Sequence, residues 1–73
     1  MDYTNKQYTL DDGNTYIVIE QVEFNNHSYL YIANTSDEED TRFVEIKDKQ
    51  FVKIDPVIFE NDVWPLFLEK FNN

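Results

Sequence analysis

The sequence predicts an α+β domain, an antiparallel sheet of about five short strands built as hairpins with one C-terminal helix packed on a sheet face. Runs of β-branched and aromatic residues recur between residues 6 and 54, separated by Asn, Asp and Gly at hairpin spacing. After residue 60 the period changes, with Val63, Trp64, Phe67, Leu68 and Phe71 recurring at one, three and four residues as on an amphipathic helix. The chain is acidic, with 15 Asp and Glu against 6 Lys and Arg, yet it carries five Tyr, six Phe and one Trp. Disordered acidic segments lack that apolar surface, so this chain is expected to fold.

Lys6 to Leu10 reads as a short first strand, and Asp11, Asp12, Gly13 and Asn14 as a tight turn, because Gly and Asn tolerate positive φ. Thr15 to Phe24 (TYIVIEQVEF) follows as the longest strand. Simple alternation places Tyr16, Val18, Val22 and Phe24 on one of its faces with Glu20 among them, and Ile17, Ile19, Gln21 and Glu23 on the other. The alternation is imperfect, as if half of the strand were buried on both faces. Asn25, Asn26 and His27 supply a second turn, and Ser28 to Asn34 a strand with Leu30 and Ile32 opposite Tyr29, Tyr31 and Ala33.

Thr35 to Asp40 reads as an acidic loop, followed by Arg42 to Lys47 with Val44 and Ile46 on one face, and then by Gln50 to Ile54 across a turn at Lys47, Asp48 and Lys49. Asn61 or Asp62 caps the expected helix, which keeps Pro65 within the first turn, where its missing N–H costs least. Pro56, after Asp55, begins a turn or a single helical turn through Phe59. The 73 residues form a single small domain, of which residues 1–5 are expected to be a flexible N-terminus.

Chemistry is sparse. His27 is the sole histidine and is expected to be an exposed turn residue, with no paired acid or nucleophile near it. Ser28 and Ser36 lie outside any nucleophile-elbow pattern, and a chain whose one Gly is Gly13 cannot build a phosphate-cradling loop. The four consecutive acids Asp37, Glu38, Glu39 and Asp40 offer hard oxygen ligands but lack the staggered spacing of a Ca²⁺ loop, so neither a metal nor a cofactor is expected. Without Cys or a signal-sequence pattern the chain reads as cytoplasmic, and without an apolar run of about 20 residues it reads as non-membrane.

A formal net charge of −9 disfavours direct contact with nucleic acid or anionic membranes and favours a protein partner with a basic surface. The residues expected to meet it are Asp11, Asp12, Asp37, Glu38, Glu39 and Asp40, with Tyr29 and Tyr31 as an exposed aromatic patch. The chain therefore reads as a non-enzymatic small acidic protein-interaction module. An acidic DNA mimic that inhibits a nucleic-acid enzyme, as phage anti-defence proteins do, is the alternative, and the apolar content of the long strand allows for a homo-oligomer.

The succession YTLDDGNTYIVIEQVEFNNHSYLYI, an acidic stretch, FVEI, FVKID and FENDVWPLFLEKF resembles the small acidic bacterial proteins grouped as domain of unknown function 1292. The likeness spans residues 8 to 71, with Asn26 where that group usually has Gly and Pro65 unexpected in the last helix. The resemblance implies the same hairpins-plus-helix fold and brings no assigned activity or catalytic residues.

Overall fold

The computed structural model describes residues 2–72. Five antiparallel strands, β1 (Gln7–Thr9), β2 (Thr15–Phe24), β3 (His27–Asn34), β4 (Asp37–Lys47) and β5 (Gln50–Val52), form a meander in sequence order. The helical region is α1 (Pro56–Ile58), a π-helical segment Phe59–Val63, and α2 (Trp64–Phe71). The predicted α+β class and the single C-terminal helical region are thus observed. The sheet, however, is curled into a half-barrel: the rings of Tyr8 on one edge strand and Phe51 on the other meet at 5.1 Å across its concave side.

Two clusters of apolar side chains stabilise this shape. On the concave side Tyr16, Val18, Leu30, Ile32 and Ile46 pack with Tyr3, Tyr8, Leu10, Val44 and Phe51 around them. On the convex side Val22, Tyr29, Ile54, Val63 and Phe67 form the second cluster, joined by Phe43, Phe59 and Trp64. Phe43 is its aromatic hub, with ring centroids at 4.7 Å from Tyr31, 5.1 Å from Phe59, 5.7 Å from Trp64 and 4.9 Å from Phe67.

β2 feeds both clusters because its register slips once. Val18 pairs with Ile32 and Glu20 with Tyr31, so Ile19 is an extra residue in a β-bulge. A one-residue insertion exchanges the faces of everything beyond it. Tyr16 and Val18 therefore point into the concave cluster, whereas Val22 and Phe24 point at the helix. The expectation that these four share a face is corrected by the bulge, and the imperfect alternation has the same cause.

The residues ahead of β1, read from the sequence as a flexible N-terminus, are hydrogen-bonded to β2: Tyr3 N–H donates to Gln21 Oε1 at 2.7 Å and Asn5 N–H to the Val18 carbonyl at 2.8 Å. The turns follow local chemistry. Asn25 and Asn26 both adopt positive φ (55° and 66°), which makes a two-residue hairpin between Phe24 and His27. His27 is thus not a turn residue but opens β3, with Nδ1 at 2.7 Å from Glu45 Oε2. Asp48 and Lys49 form the equivalent turn with φ of 52° and 65°.

The helical turn expected at Pro56 is present and runs on without a break into the last helix, so the cap is Asp55 and not Asn61 or Asp62. Asp55 accepts from Val57 N–H at 2.9 Å, and Pro56 takes a first-turn position where a missing N–H is harmless. Phe59, Val63, Phe67 and Phe71 recur every four residues, a repeat that drifts by about 40° per step around a 3.6-residue helix. The wider turns at Phe59–Val63 take back part of that drift. They also open the ladder just ahead of Pro65, where a regular helix would crowd the proline ring against the Asn61 carbonyl. No described helix is long and apolar enough to cross a membrane.

Two outcomes are expected. Lys49→Gly relieves a left-handed conformation that is costly for a residue with a Cβ, and should raise unfolding stability in urea by about 0.5–1 kcal/mol. Phe67→Ala empties the centre of the convex cluster at about 3–5 kcal/mol. That loss rivals the whole stability of so small a domain, so calorimetry at 25 °C and above should show no cooperative transition.

Candidate functional site

The acidic residues singled out in the sequence do not occupy a loop. The β3–β4 turn shrinks to Thr35 and Ser36, and Asp37–Asp40 belong to the start of β4. Asn34 pairs with Asp37 but Ala33 with Thr41, so Glu38, Glu39 and Asp40 have no opposite residue on β3 and stand out as a bulge. The reason is polar. Asn34 Oδ1 accepts from Ser36 N–H at 2.9 Å and Asp37 Oδ1 from Glu39 N–H at 3.1 Å, which turn the chain inside the segment.

Asp40 then anchors the bulge. Its Oδ2 lies 3.1 Å from the Tyr16 hydroxyl and 3.2 Å from Asn34 Nδ2, while Arg42 donates from Nε to Oδ1 at 3.1 Å and from Nη2 to Oδ2 at 3.3 Å. Asp12 reaches the same hydroxyl from the β1–β2 loop at 3.1 Å and sits 3.9 Å from Arg42 Nη2. Gly13, at φ 82°, gives that loop its left-handed step, and Asn14 N–H donates to Asp12 Oδ1 at 2.9 Å. The Arg42 guanidinium carbon lies 4.9 Å from the Tyr16 ring centroid, a cation–π contact on a ring that is fully buried.

Two carboxylates and one guanidinium thus converge on one phenol, which has a single proton to donate. Hydrogen bonds from Arg42 and then Asn34 hold the Asp40 carboxyl below the usual range, and the Asn14 amide does the same for Asp12. Burial, reinforced by both carboxylates, pushes the Tyr16 phenol up. No buried side-chain polar atom among the described residues lacks a partner.

Of the sequence-predicted site residues, the structure brings Asp11 and Asp12 together with Asp37, Glu38, Glu39 and Asp40 at one end of the half-barrel. Asp12 and Asp40 are tied to Arg42, whereas Asp11, Asp37, Glu38 and Glu39 are exposed. Tyr29 and Tyr31 do not form an exposed patch. Tyr29 is 3% exposed in the convex cluster, and Tyr31 packs on Phe43 and, at 5.5 Å, on Phe71. Both face the helix because β3 keeps strict alternation and the helix covers that side.

Sequence reasoning missed a groove of about 860 Å³ between α2 and β2, lined by Asp2, Glu20, Glu23, Leu66, Glu69 and Lys70. These residues are scattered along the chain, and only the bulge at Ile19, which turns Glu20 to the helix side, and the docking of α2 bring them together. A second cleft of about 500 Å³ lies between the β1–β2 loop and β5, with Tyr8 and Phe51 beside Asp11, Asp12, Arg42 and Lys49. Among the described residues no three His, Cys, Asp or Glu side chains gather as a metal-binding group. No protein-family model, curated protein or solved structure matches the chain.

The depressed carboxyls fix the sign of an acid response. A carboxylate whose folded pKa lies below its unfolded value stabilises fully above the ordinary carboxylate range, and that stability is lost as pH falls through the folded value. Urea midpoints followed from about pH 5 down to about pH 2.5 should therefore fall for the native chain and fall less steeply for Asp40→Asn, which has already lost the anchoring charge.

Proposed function

We propose that the chain is a non-enzymatic protein-interaction module whose acidic end recognises a basic surface on a protein partner. The observation that carries this reading is the division of labour among the acids. Asp12 and Asp40 are taken up by Arg42 and Tyr16, while Asp11, Asp37, Glu38 and Glu39 stand exposed beside them in no ion pair among the described residues. Exposed like charges on adjacent positions repel one another and weaken a fold slightly. A basic surface laid against them turns that repulsion into attraction and steers association over roughly a Debye length, about 10 Å at 0.1 M salt.

Each such charge contributes about 0.2–1 kcal/mol at an exposed contact, so three together amount to roughly a tenfold change in affinity. Calorimetric titration with a hexa-arginine peptide should show binding that weakens steeply as salt rises. The triple substitution Asp37→Asn, Glu38→Gln, Glu39→Gln should lower the affinity about tenfold. Absence of binding at low salt, or binding indifferent to both salt and the triple substitution, would sink the reading.

A further inference from the structure

β4 is 11 residues long, but β5 pairs only with Glu45, Ile46 and Lys47 at its end. Along the rest of that margin no strand lies beside Thr41 to Val44 among the described residues. The register identifies the backbone groups left over. Asp48 and Lys49 form a two-residue turn with positive φ, so Lys47 and Gln50 exchange hydrogen bonds, and by alternation so do Glu45 and Val52. Arg42 and Val44 then bond to Ile32 and Leu30 of β3, and the N–H and C=O of Thr41 and Phe43 point outward. None of these four groups meets a hydrogen-bond partner among the described residues.

Such a row of donors and acceptors is a template for another extended chain. Very short strands, Pro and Lys blunt an exposed edge, and the edge strands β1 and β5 are three residues each, whereas 41–44 carries neither Pro nor Lys. The convex side of this margin also offers an apolar seat. The Phe43 ring lies 5.1 Å from that of Phe59, and immediately before Phe59 stand Val57 and Ile58 of α1, 65% and 39% exposed. A residue placed opposite Phe43 on an added strand projects to that same side.

We propose that the open margin of β4 at 41–44 is a strand-addition site: it takes an extended segment of the basic partner, antiparallel to β4, with an apolar residue opposite Phe43 and Arg or Lys at its C-terminal end beside Asp37, Glu38 and Glu39. This inference rests on the interaction reading above and names how the partner is held. Charge selects the occupant. Pairing the β4 margins of two identical chains would bring together two molecules of net charge −9. A segment with a basic C-terminal end gains attraction instead, because antiparallel order, which every pairing of this sheet follows, lays that end along the exposed acids.

The probe is the acetylated, amidated peptide TVTITRR, compared with a copy N-methylated at its Val and Ile. The copy keeps charge and side chains but cannot donate to the Phe43 and Thr41 carbonyls. In the full chain without peptide, the Thr41 and Phe43 amides should exchange hydrogen at least about tenfold faster than those of Arg42 and Val44, and saturating peptide should slow them at least about tenfold. N-methylation should weaken binding at least about tenfold. Thr41→Pro removes one outward N–H and no bond to β3, and it should weaken binding of the unmodified peptide about fivefold; the peptide comparison stands by itself if that variant does not fold. Equal binding of the two peptides, no binding of either, or Thr41 and Phe43 amides already protected in the free protein would overturn strand addition. Binding that distinguishes the peptides but ignores salt and the triple substitution at 37–39 would keep strand addition and remove the acidic reading. Salt-dependent binding of hexa-arginine with no difference between the two peptides would do the reverse, so the two fail separately.

Discussion

The β-bulge at Ile19 is the constraint on which the rest of this structure depends. Regular alternation would put Tyr16, Val18, Val22 and Phe24 on one face of the ten-residue strand, yet they serve two clusters on opposite sides of a five-stranded sheet. The extra residue solves the problem by exchanging faces half-way along, so that Tyr16 and Val18 close the concave side while Val22 and Phe24 meet the helix. Bulges also increase local twist, which is in keeping with a sheet curled until Tyr8 and Phe51 touch. A chain of 73 residues thereby buries aromatic surface on both sides of a single sheet.

The same device recurs on the other side of β3, against Ala33 and Asn34, with polar contents. The three unmatched residues of β4 are held by side-chain hydrogen bonds rather than by apolar burial, and their anchor, Asp40, is satisfied by the one arginine in the chain. Tyr16 links the two devices, because its ring fills the concave cluster while its hydroxyl faces the carboxylates. Packing and electrostatics therefore meet on one side chain, and the acidic surface is positioned by the same strand that organises the core. The helical region shows a comparable compromise, where a four-residue apolar repeat and an interior proline are both accommodated by π-helical turns.

Local chemistry made much of this legible. Turn residues located three hairpin connections, the bounds of β2 follow directly from its β-branched run, and the change of period marked the helix. Alternation failed where an insertion altered it: nothing in IVIEQV distinguishes Ile19 as the extra residue, and only the need of Val22 for the helix and of Val18 for the concave cluster selects it. The acids at 37–40 read as a loop because strand propensity is low for Asp and Glu, yet tertiary contacts of Asp40 draw them into β4. Tyr29 and Tyr31 were read as exposed because β-strand tyrosines serve cores and surfaces alike. Pro56 after Asp55 marked a helical turn, but nothing in the sequence showed that π-helical turns would join it to the apolar repeat further on.

Methyl and aromatic NOE contacts of Val18 and Val22 test the central claim most directly. With the bulge at Ile19, Val18 shows contacts to the concave cluster of Tyr16, Leu30 and Ile32, and Val22 shows contacts to the convex cluster of Tyr29, Val63 and Phe67. Contacts from both valines to one common set of neighbours would mean that β2 runs without a face exchange, and would contradict the two-sided architecture.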